Sequence, residues 1–472
     1  MKTNKNIITA FLLIFIVFIS TKVNAHEITS KSDIKLNSKK ISTKVTDNSE
    51  STYITVSKND EINIKNEENI SSIYIIYEYS SKSGKITGNK KTMLIGENNF
   101  LHEFIDIKNK IGETNEIKIK FDEDVKIADI YLLGDGDLPS FVENWNKPYE
   151  RADLLLFSTH SDDEQLFFLG LMPTYVARGA NVQVVYFANH NDNPKRLHEQ
   201  LHGLYAVGIR NYPIFGLIPD AYSENLKDAL KNMNKANISE EMALKFQVEN
   251  IRRFKPQVVV GHDEKGEYSH GQHILNTYLL EKAILNANDE NYDNESYIKY
   301  GKWQISKLYL HLYEKNQIKM DYDVPLEYFN GKTAYEVSKE GYSKHLSQQW
   351  TWFTKWINGP NNSFKKATEI KKYSPLEYGL YYSNVGEDIN KNDMFENITY
   401  YKDQKEEKES KNEENDNEDI GEKEAPIIQK NKKKSNKKYV IIIIVIIMIF
   451  LRLKVIKAEK NKKKKRAYKA KH

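Results

Sequence analysis

Hydrophobic and polar positions alternate differently in successive stretches of the chain. From 26 to about 145, short strand-like runs at 53–56, 73–79, 116–121 and 127–133 are separated by turn-rich segments such as 84–89 and 134–137. Short strands at regular spacing with such punctuation predict a small all-β, sandwich-like domain over 26–145. From 146 to 400 the pattern changes. Apolar runs at 154–157, 181–188 and 256–261 have the β-branched, doubly buried character of interior strands. Between them, 194–207 and 242–254 read as helices. This alternation predicts an α/β domain with a mostly parallel sheet and helices on both faces.

The two ends obey other rules. Residues 1–25 have Lys2 and Lys5, an apolar core at 7–19 and a small-x-small ending, VNA, which predicts a signal peptide; an uncleaved anchor is the alternative. Residues 401–438 are dominated by Lys, Glu, Asn and Asp and are expected to form a disordered charged linker. An unbroken apolar run of thirteen residues, 439–451, extends to Ile456 if Arg452 and Lys454 snorkel. Eleven basic residues lie between Arg452 and Lys471. Together they predict a transmembrane helix over 439–456, a basic cytoplasmic tail over 457–472, and a single-pass membrane protein with its catalytic domain outside the cytoplasm.

Charge sharpens this division. The net charge of +4 hides a balance of +16 in residues 430–472, which leaves −12 for the remainder. Basicity confined to a tail points to a membrane surface and argues against a nucleic-acid-binding body. There is no cysteine, so a Cys nucleophile, a thiolate zinc site and a disulfide framework are excluded. Neither G-x-G-x-x-G after the first strand nor G-x-x-x-x-G-K-[ST] occurs, so nucleotide binding has no support.

The candidate chemistry lies just past two predicted strands. The first strand empties into THSDDE at 159–164, and the 256–261 strand into GHDEKGEYSHGQH at 261–273. Side chains beyond the carboxyl ends of parallel strands line the ligand crevice of an α/β sheet. On a tight loop His160 and Asp163 can converge on one ion. His273, near the start of a helix, is kept neutral by the dipole, as a ligand must be. Two His and one carboxylate with an open position is the donor set of a catalytic zinc, although other divalent metals accept it. Asp162 then suits a general base, and His270 an oxyanion stabiliser or acid for the leaving amine, which implies hydrolysis of an amide or ester.

These motifs resemble those of the PIG-L (LmbE-like) deacetylase family. THSDDE is similar to its A-H-P-D-D-E signature and GEYSHGQH to its G-H-P-D-H element. Arg196-Leu-His-Glu199 followed by Ala206-Val-Gly208 resembles its R-x-x-E helix, and His345-Leu-Ser-Gln348 its H-x-S-Q element. The resemblance covers roughly 150–385. It implies a Rossmann-like fold, zinc ligands His160, Asp163 and His273, Asp162 as base, and His270 assisting the tetrahedral intermediate. It also implies Arg196 near the substrate, with Glu199 holding that loop or helix, and removal of acetyl groups from N-acetylglucosamine-type amides. Ser161 and Gly271 replace prolines usual in the family and bear on loop stiffness.

The expected function is therefore a surface-anchored zinc de-N-acetylase acting on an N-acetylated amino sugar of a cell-wall or surface glycan. The alternatives are a related zinc amidase or esterase, and a non-catalytic glycan-binding surface protein. His262, Asp263 and Glu267 are either supports or substrate contacts, with Asp263 the substrate-binding candidate. His198, His202 and His311 read as packing or surface residues. Trp350, Trp352, Phe353 and Trp356 read as core packing, and so do Tyr74, Tyr77 and Tyr79.

Overall fold

A computed structural model describes residues 25–80, 83–355, 357 and 364–404. The amino-terminal part builds two antiparallel sheets. One is ordered β2-β1-β4-β9-β6-β7, from β1 (Asp33–Leu36), β2 (Lys39–Lys40), β4 (Ile62–Lys65), β6 (Gly84–Gly88), β7 (Lys91–Ile95) and β9 (Glu116–Phe121). The other is ordered β3-β10-β5-β8, from β3 (Ile54–Val56), β5 (Ser72–Tyr77), β8 (His102–Asp106) and β10 (Val125–Leu133). Alternation along β4 and β9 turns Ile62, Ile64, Ile117 and Ile119 inward, where they share one core with Ile73, Ile75 and Ile127 of the other sheet. Tyr74 and Tyr77 are buried and Tyr79 is exposed.

The third sheet carries the candidate site. Its order is β12-β11-β15-β16-β18-β17, from β11 (Leu154–Ser158), β12 (Val182–Tyr186), β15 (Val258–Gly261), β16 (Lys307–His311), β17 (Gln317–Lys319) and β18 (Glu377–Ser383). β12, β11, β15 and β16 run parallel. The register pairs Leu154 with Val258 and Leu156 with Val260, so β11 and β15 deliver their loops side by side. The helices used below are α1 (Asp163–Leu166), α2 (Leu171–Ala177), α3 (Pro194–Ala206), α4 (Leu226–Lys235), α5 (Glu240–Phe254), α6 (Gly271–Asn286) and α7 (Ala334–Tyr342). Ser239 caps α5 through Met242 N, and Thr333 with Glu336 forms a capping box on α7.

The expected fold class requires correction in two respects. The sheet is mixed, not mostly parallel: β18 is antiparallel to both β16 and β17, and the two amino-terminal sheets are antiparallel throughout. The physical reason is where the chain enters β18. Met320 N bonds to Leu376 O at 2.8 Å, so the chain returns at the same end of the sheet it left and can only run back. The second correction concerns the membrane. No helix among the described residues is long and apolar enough to cross one. The expected helix at 439–456, the basic tail and the signal peptide up to residue 24 lie outside the described residues, and the single-pass placement is not supported. At the start of the expected linker, Tyr401 is packed: its backbone N–H bonds to Asp153 and its hydroxyl donates to Lys255 O at 2.7 Å.

Candidate active site

β11 ends at Ser158, and two residues on, His160 begins a turn closed by its own backbone N–H donating to Asp163 Oδ2 at 2.7 Å. Asp162 sits at φ 122°, a region that side chains rarely adopt, and is held there by a bond from its N–H to Glu164 Oε2 of 2.9 Å. His345 reaches the other Glu164 oxygen at 3.0 Å. From β15 the loop passes Gly266, at φ 65°, where a Cβ would meet His270 O, and enters α6 at Gly271. His273 thus lies in the first turn of α6.

The two loops meet. His160 Nδ1 is 3.0 Å from Asp163 Oδ2 and 3.2 Å from His273 Nε2, and His273 Nε2 is 3.1 Å from Asp163 Oδ2. Neighbouring hydrogen bonds assign the ring protons. Gln272 donates its amide N–H to Pro219 O at 2.8 Å, which turns its Oε1 toward His160 Nε2, also at 2.8 Å. A neutral His160 therefore keeps its proton on Nε2 and its lone pair on Nδ1. His273 Nδ1 donates to Glu267 Oε2 at 2.7 Å, so a neutral His273 carries its lone pair on Nε2. With both rings neutral, three lone pairs face one point; without an ion, the contacts among them are hydrogen bonds. Ligand atoms around a tetrahedral zinc, with bonds of 2.0–2.1 Å, stand about 3.3 Å apart.

Without an ion, the carboxylates favour protonated rings, so a metal entering the tripod displaces protons. Burial pulls the His273 imidazole down, but the Asp163 and Glu267 carboxylates outweigh it and push its pKa up to about 10. Burial would raise Asp163, yet the His273 and His160 rings hold it well below the usual carboxylate range. The pocket demands positive charge. Asp162, beside the tripod, is pushed up to about 7 by burial, against the opposing Arg196 and with help from Asp163. Burial drives His270 well below its ordinary value, with His160 and His273 adding to the effect. Its Nδ1 accepts from Gln272 N at 3.2 Å, which leaves the proton on Nε2. The His270 ring centre lies 4.6 Å from those of both His160 and His273.

The sequence candidates are thus assembled, with one exception. Arg196 clamps the first loop: Nη2 bonds to Ser161 O and lies 3.5 Å from Asp162 Oδ1, while Nη1 reaches Asp220 Oδ2 at 3.1 Å. Glu199 accepts from Ser347 N at 2.7 Å. Asp263 instead shapes its own loop, accepting from Lys265 N at 3.0 Å. Glu267 is a hub rather than a rim residue. Fully buried, it faces Nδ1 of His262 at 2.8 Å, of His273 at 2.7 Å and of His311 at 2.6 Å. His311, read from the sequence as packing or surface, belongs to this support. Asp220 escaped notice: it follows β14 (Ile218–Pro219), which pairs with β13 (Ala188–Asn189), and it lies 3.5 Å from His160 Nε2 and 3.4 Å from His190 Nδ1. Such short strands have no periodicity to read. Trp350 and Trp352, expected in the core, are 81% and 44% exposed; Phe353 is buried, and the side chain of Trp356 lies outside the described residues.

Fold and site define a class: an α/β protein with a buried two-histidine, one-aspartate donor set beyond its parallel strands. The comparisons narrow it. Residues 155–284 match the family model described as GlcNAc-PI de-N-acetylase. A 1D-myo-inositol 2-acetamido-2-deoxy-alpha-D-glucopyranoside deacetylase of Geodermatophilus obscurus is 28% identical over 181 residues. That match takes in 33% of this chain and spans 60% of the relative's length. Among solved structures, the N,N'-diacetylchitobiose deacetylase of Pyrococcus horikoshii is 15% identical, with a TM-score of 0.34, over 44% of this chain and 75% of that one. The conserved protein TT1542 of Thermus thermophilus is 16% identical, with a TM-score of 0.30, over 42% and 80%.

Proposed function

We propose that the chain is a metal-dependent de-N-acetylase acting on an N-acetylglucosamine-type amino sugar, free or within a glycan. The observation that carries this reading is the convergence of three donor atoms, His160 Nδ1, Asp163 Oδ2 and His273 Nε2, beside a carboxyl poised near neutrality. The donor set fits zinc, with another divalent ion as a substitute. When bound, zinc supplies Lewis acidity that brings the pKa of water to about 7.

The chain's own groups perform the rest. Asp162, ionised above about pH 7, takes the proton of the attacking water and passes it to the departing amine. His270, neutral and carrying its proton on Nε2, donates a hydrogen bond to the oxygen that becomes negative as the amide carbon turns tetrahedral. Arg196 keeps the 160–163 turn in place through Ser161 O and Asp220. Tyr222, 62% exposed and edge-on to His270 with ring centres 5.2 Å apart, offers a stacking face to a sugar at the mouth. A relative named for an acetamido-sugar substrate supports the choice of amide.

Acetate release from N-acetylglucosamine derivatives by the purified full chain tests the reading, with Asp162→Asn beside it. The variant should lose about 10²- to 10⁴-fold in kcat, the usual worth of a positioned acid–base group, and keep its bound metal. Undiminished turnover in the variant would remove Asp162 from the mechanism. No acetate from any acetamido sugar would remove the function.

A further inference from the structure

A second group of imidazoles and carboxylates lies where the amino-terminal sheets meet α3. His198 and His202, four apart on α3, share one face of the helix. His102 comes from β8, Glu50 from the loop before β3, and Glu143 from the segment leading to β11. None of them touches the site described above.

The arrangement around Glu143 is that of a support for metal ligands. Its Oε2 accepts from His102 Nδ1 at 2.9 Å and from Trp145 Nε1 at 2.9 Å, and its Oε1 faces His202 Nδ1 at 2.6 Å. One buried carboxylate thus engages the Nδ1 of two rings and turns both Nε2 atoms away from itself. Carboxylates hold histidine ligands this way, fixing the tautomer and raising the basicity of the free nitrogen. The freed atoms meet other donors. His202 Nε2 is 2.6 Å from Glu50 Oε1, and donor atoms of Glu50, His102 and His202 all lie within 4.8 Å of one another. His102 Nε2 is 2.8 Å from His198 Nδ1, and the other His198 nitrogen, fully buried, has no partner among the described residues. Glu50 and His202 retain about a quarter of their side-chain exposure (26% and 27%), which leaves a way in from solvent.

We propose that Glu50, His102 and His202 form a second divalent-metal site, zinc by its donor chemistry, with Glu143 holding the two rings and His198 bordering it. Its ligands come from a loop, a strand and a helix, so the ion ties the amino-terminal part to α3. The role is structural: the ligands hold a junction away from the catalytic groups. In the competing arrangement no metal binds, and His202 carries both protons between Glu50 and Glu143.

Zinc counting separates the two. The full chain is stripped with a chelator, reloaded with Zn²⁺, desalted and analysed by inductively coupled plasma mass spectrometry. Two ions per chain are expected in the wild type, one in His273→Ala, and none when Glu50→Gln and His202→Gln are added. If the wild type holds one ion that survives His273→Ala but not Glu50→Gln/His202→Gln, this proposal stands and the catalytic-metal reading falls. If His273→Ala empties a protein of normal circular dichroism, the proposal is overturned. Anomalous diffraction at the zinc edge from zinc-loaded wild-type crystals requires no variant to fold: a peak is expected between Glu50, His102 and His202, and its absence refutes the site.

Discussion

Replacing Glu267 by alanine removes the acceptor around which three imidazoles are arranged. His262 Nδ1 and His273 Nδ1 both face Oε2, at 2.8 and 2.7 Å, and His311 Nδ1 faces Oε1 at 2.6 Å, all fully buried. Hydrogen bonds to a charged group contribute about 1.5–3 kcal/mol each. Three would total more than is realised, because water or a ring shift recovers part. Removal of one partner from a buried charged cluster costs about 3–5 kcal/mol, and that is the expected loss of stability. Loss of the group behind a metal-bound histidine lowers metal affinity about 10- to 100-fold. Glutamine should be milder. His311 Nε2 is tied to Ser374 O at 2.9 Å and so carries a proton there. A neutral His311 offers a bare Nδ1 to the glutamine amide, while the amide oxygen still accepts from His262 and His273. Glu267→Gln therefore keeps all three bonds and loses only the charge, for about a tenfold loss of affinity, the lower end of that range. Chelator-competition titration and urea unfolding of both variants supply the measurements. Wild-type zinc affinity in Glu267→Ala would refute the assignment of the His273 proton to Nδ1.

Further outcomes follow from other positions. Gly170 has φ 82°, and a Cβ there would collide with the Tyr322 ring, so Gly170→Ala should cost about 2–4 kcal/mol from backbone strain plus overpacking, read as a lower urea midpoint. Asp129 is fully buried with one carboxyl oxygen unpartnered; burial pushes it up to about 7, although the Asn48 N–H pulls the other way. The folded state then binds this proton more tightly than the unfolded chain, so its stabilising effect is complete below about pH 4 and is lost as pH rises through 7. Asp129→Asn should therefore raise the melting temperature relative to wild type more at pH 8 than at pH 5; an equal difference at both would assign no titration to this group.

What could be read in advance follows physical locality. Leu154 to Phe157 and Val258 to Val260 announce buried strands because both their faces are apolar, and the polar residues directly after them must sit at strand ends. His160, Asp162, Asp163, His270 and His273 were visible for that reason. The direction of β18 was not visible, because its aromatic pattern is the same whichever way it runs. Asp220 and Gln272 act through partners distant in sequence, Arg196 and His160, and nothing in their neighbourhoods marks them. His311 gains its place only from Glu267, on another strand's loop. Trp350 and Trp352 show the opposite failure: near-helical spacing suggested burial, but the segment is short 3₁₀ structure, whose three-residue turn scatters such a stripe.

The seam between the amino-terminal sheets and α3 bears on how this polypeptide can be divided. Leu101 N–H bonds to the Tyr212 hydroxyl at 2.8 Å, and the Phe100 ring stacks on Tyr212 with centres 4.4 Å apart. Trp145 packs edge-on against Tyr205 and Tyr212. A polypeptide beginning at Tyr149 would therefore expose a sticky aromatic face and strand His198 and His202 in half-empty surroundings. The sheets at the amino terminus are not cargo that recombination can exchange freely. A polypeptide that keeps α3 without these sheets needs another cover for the same aromatic face.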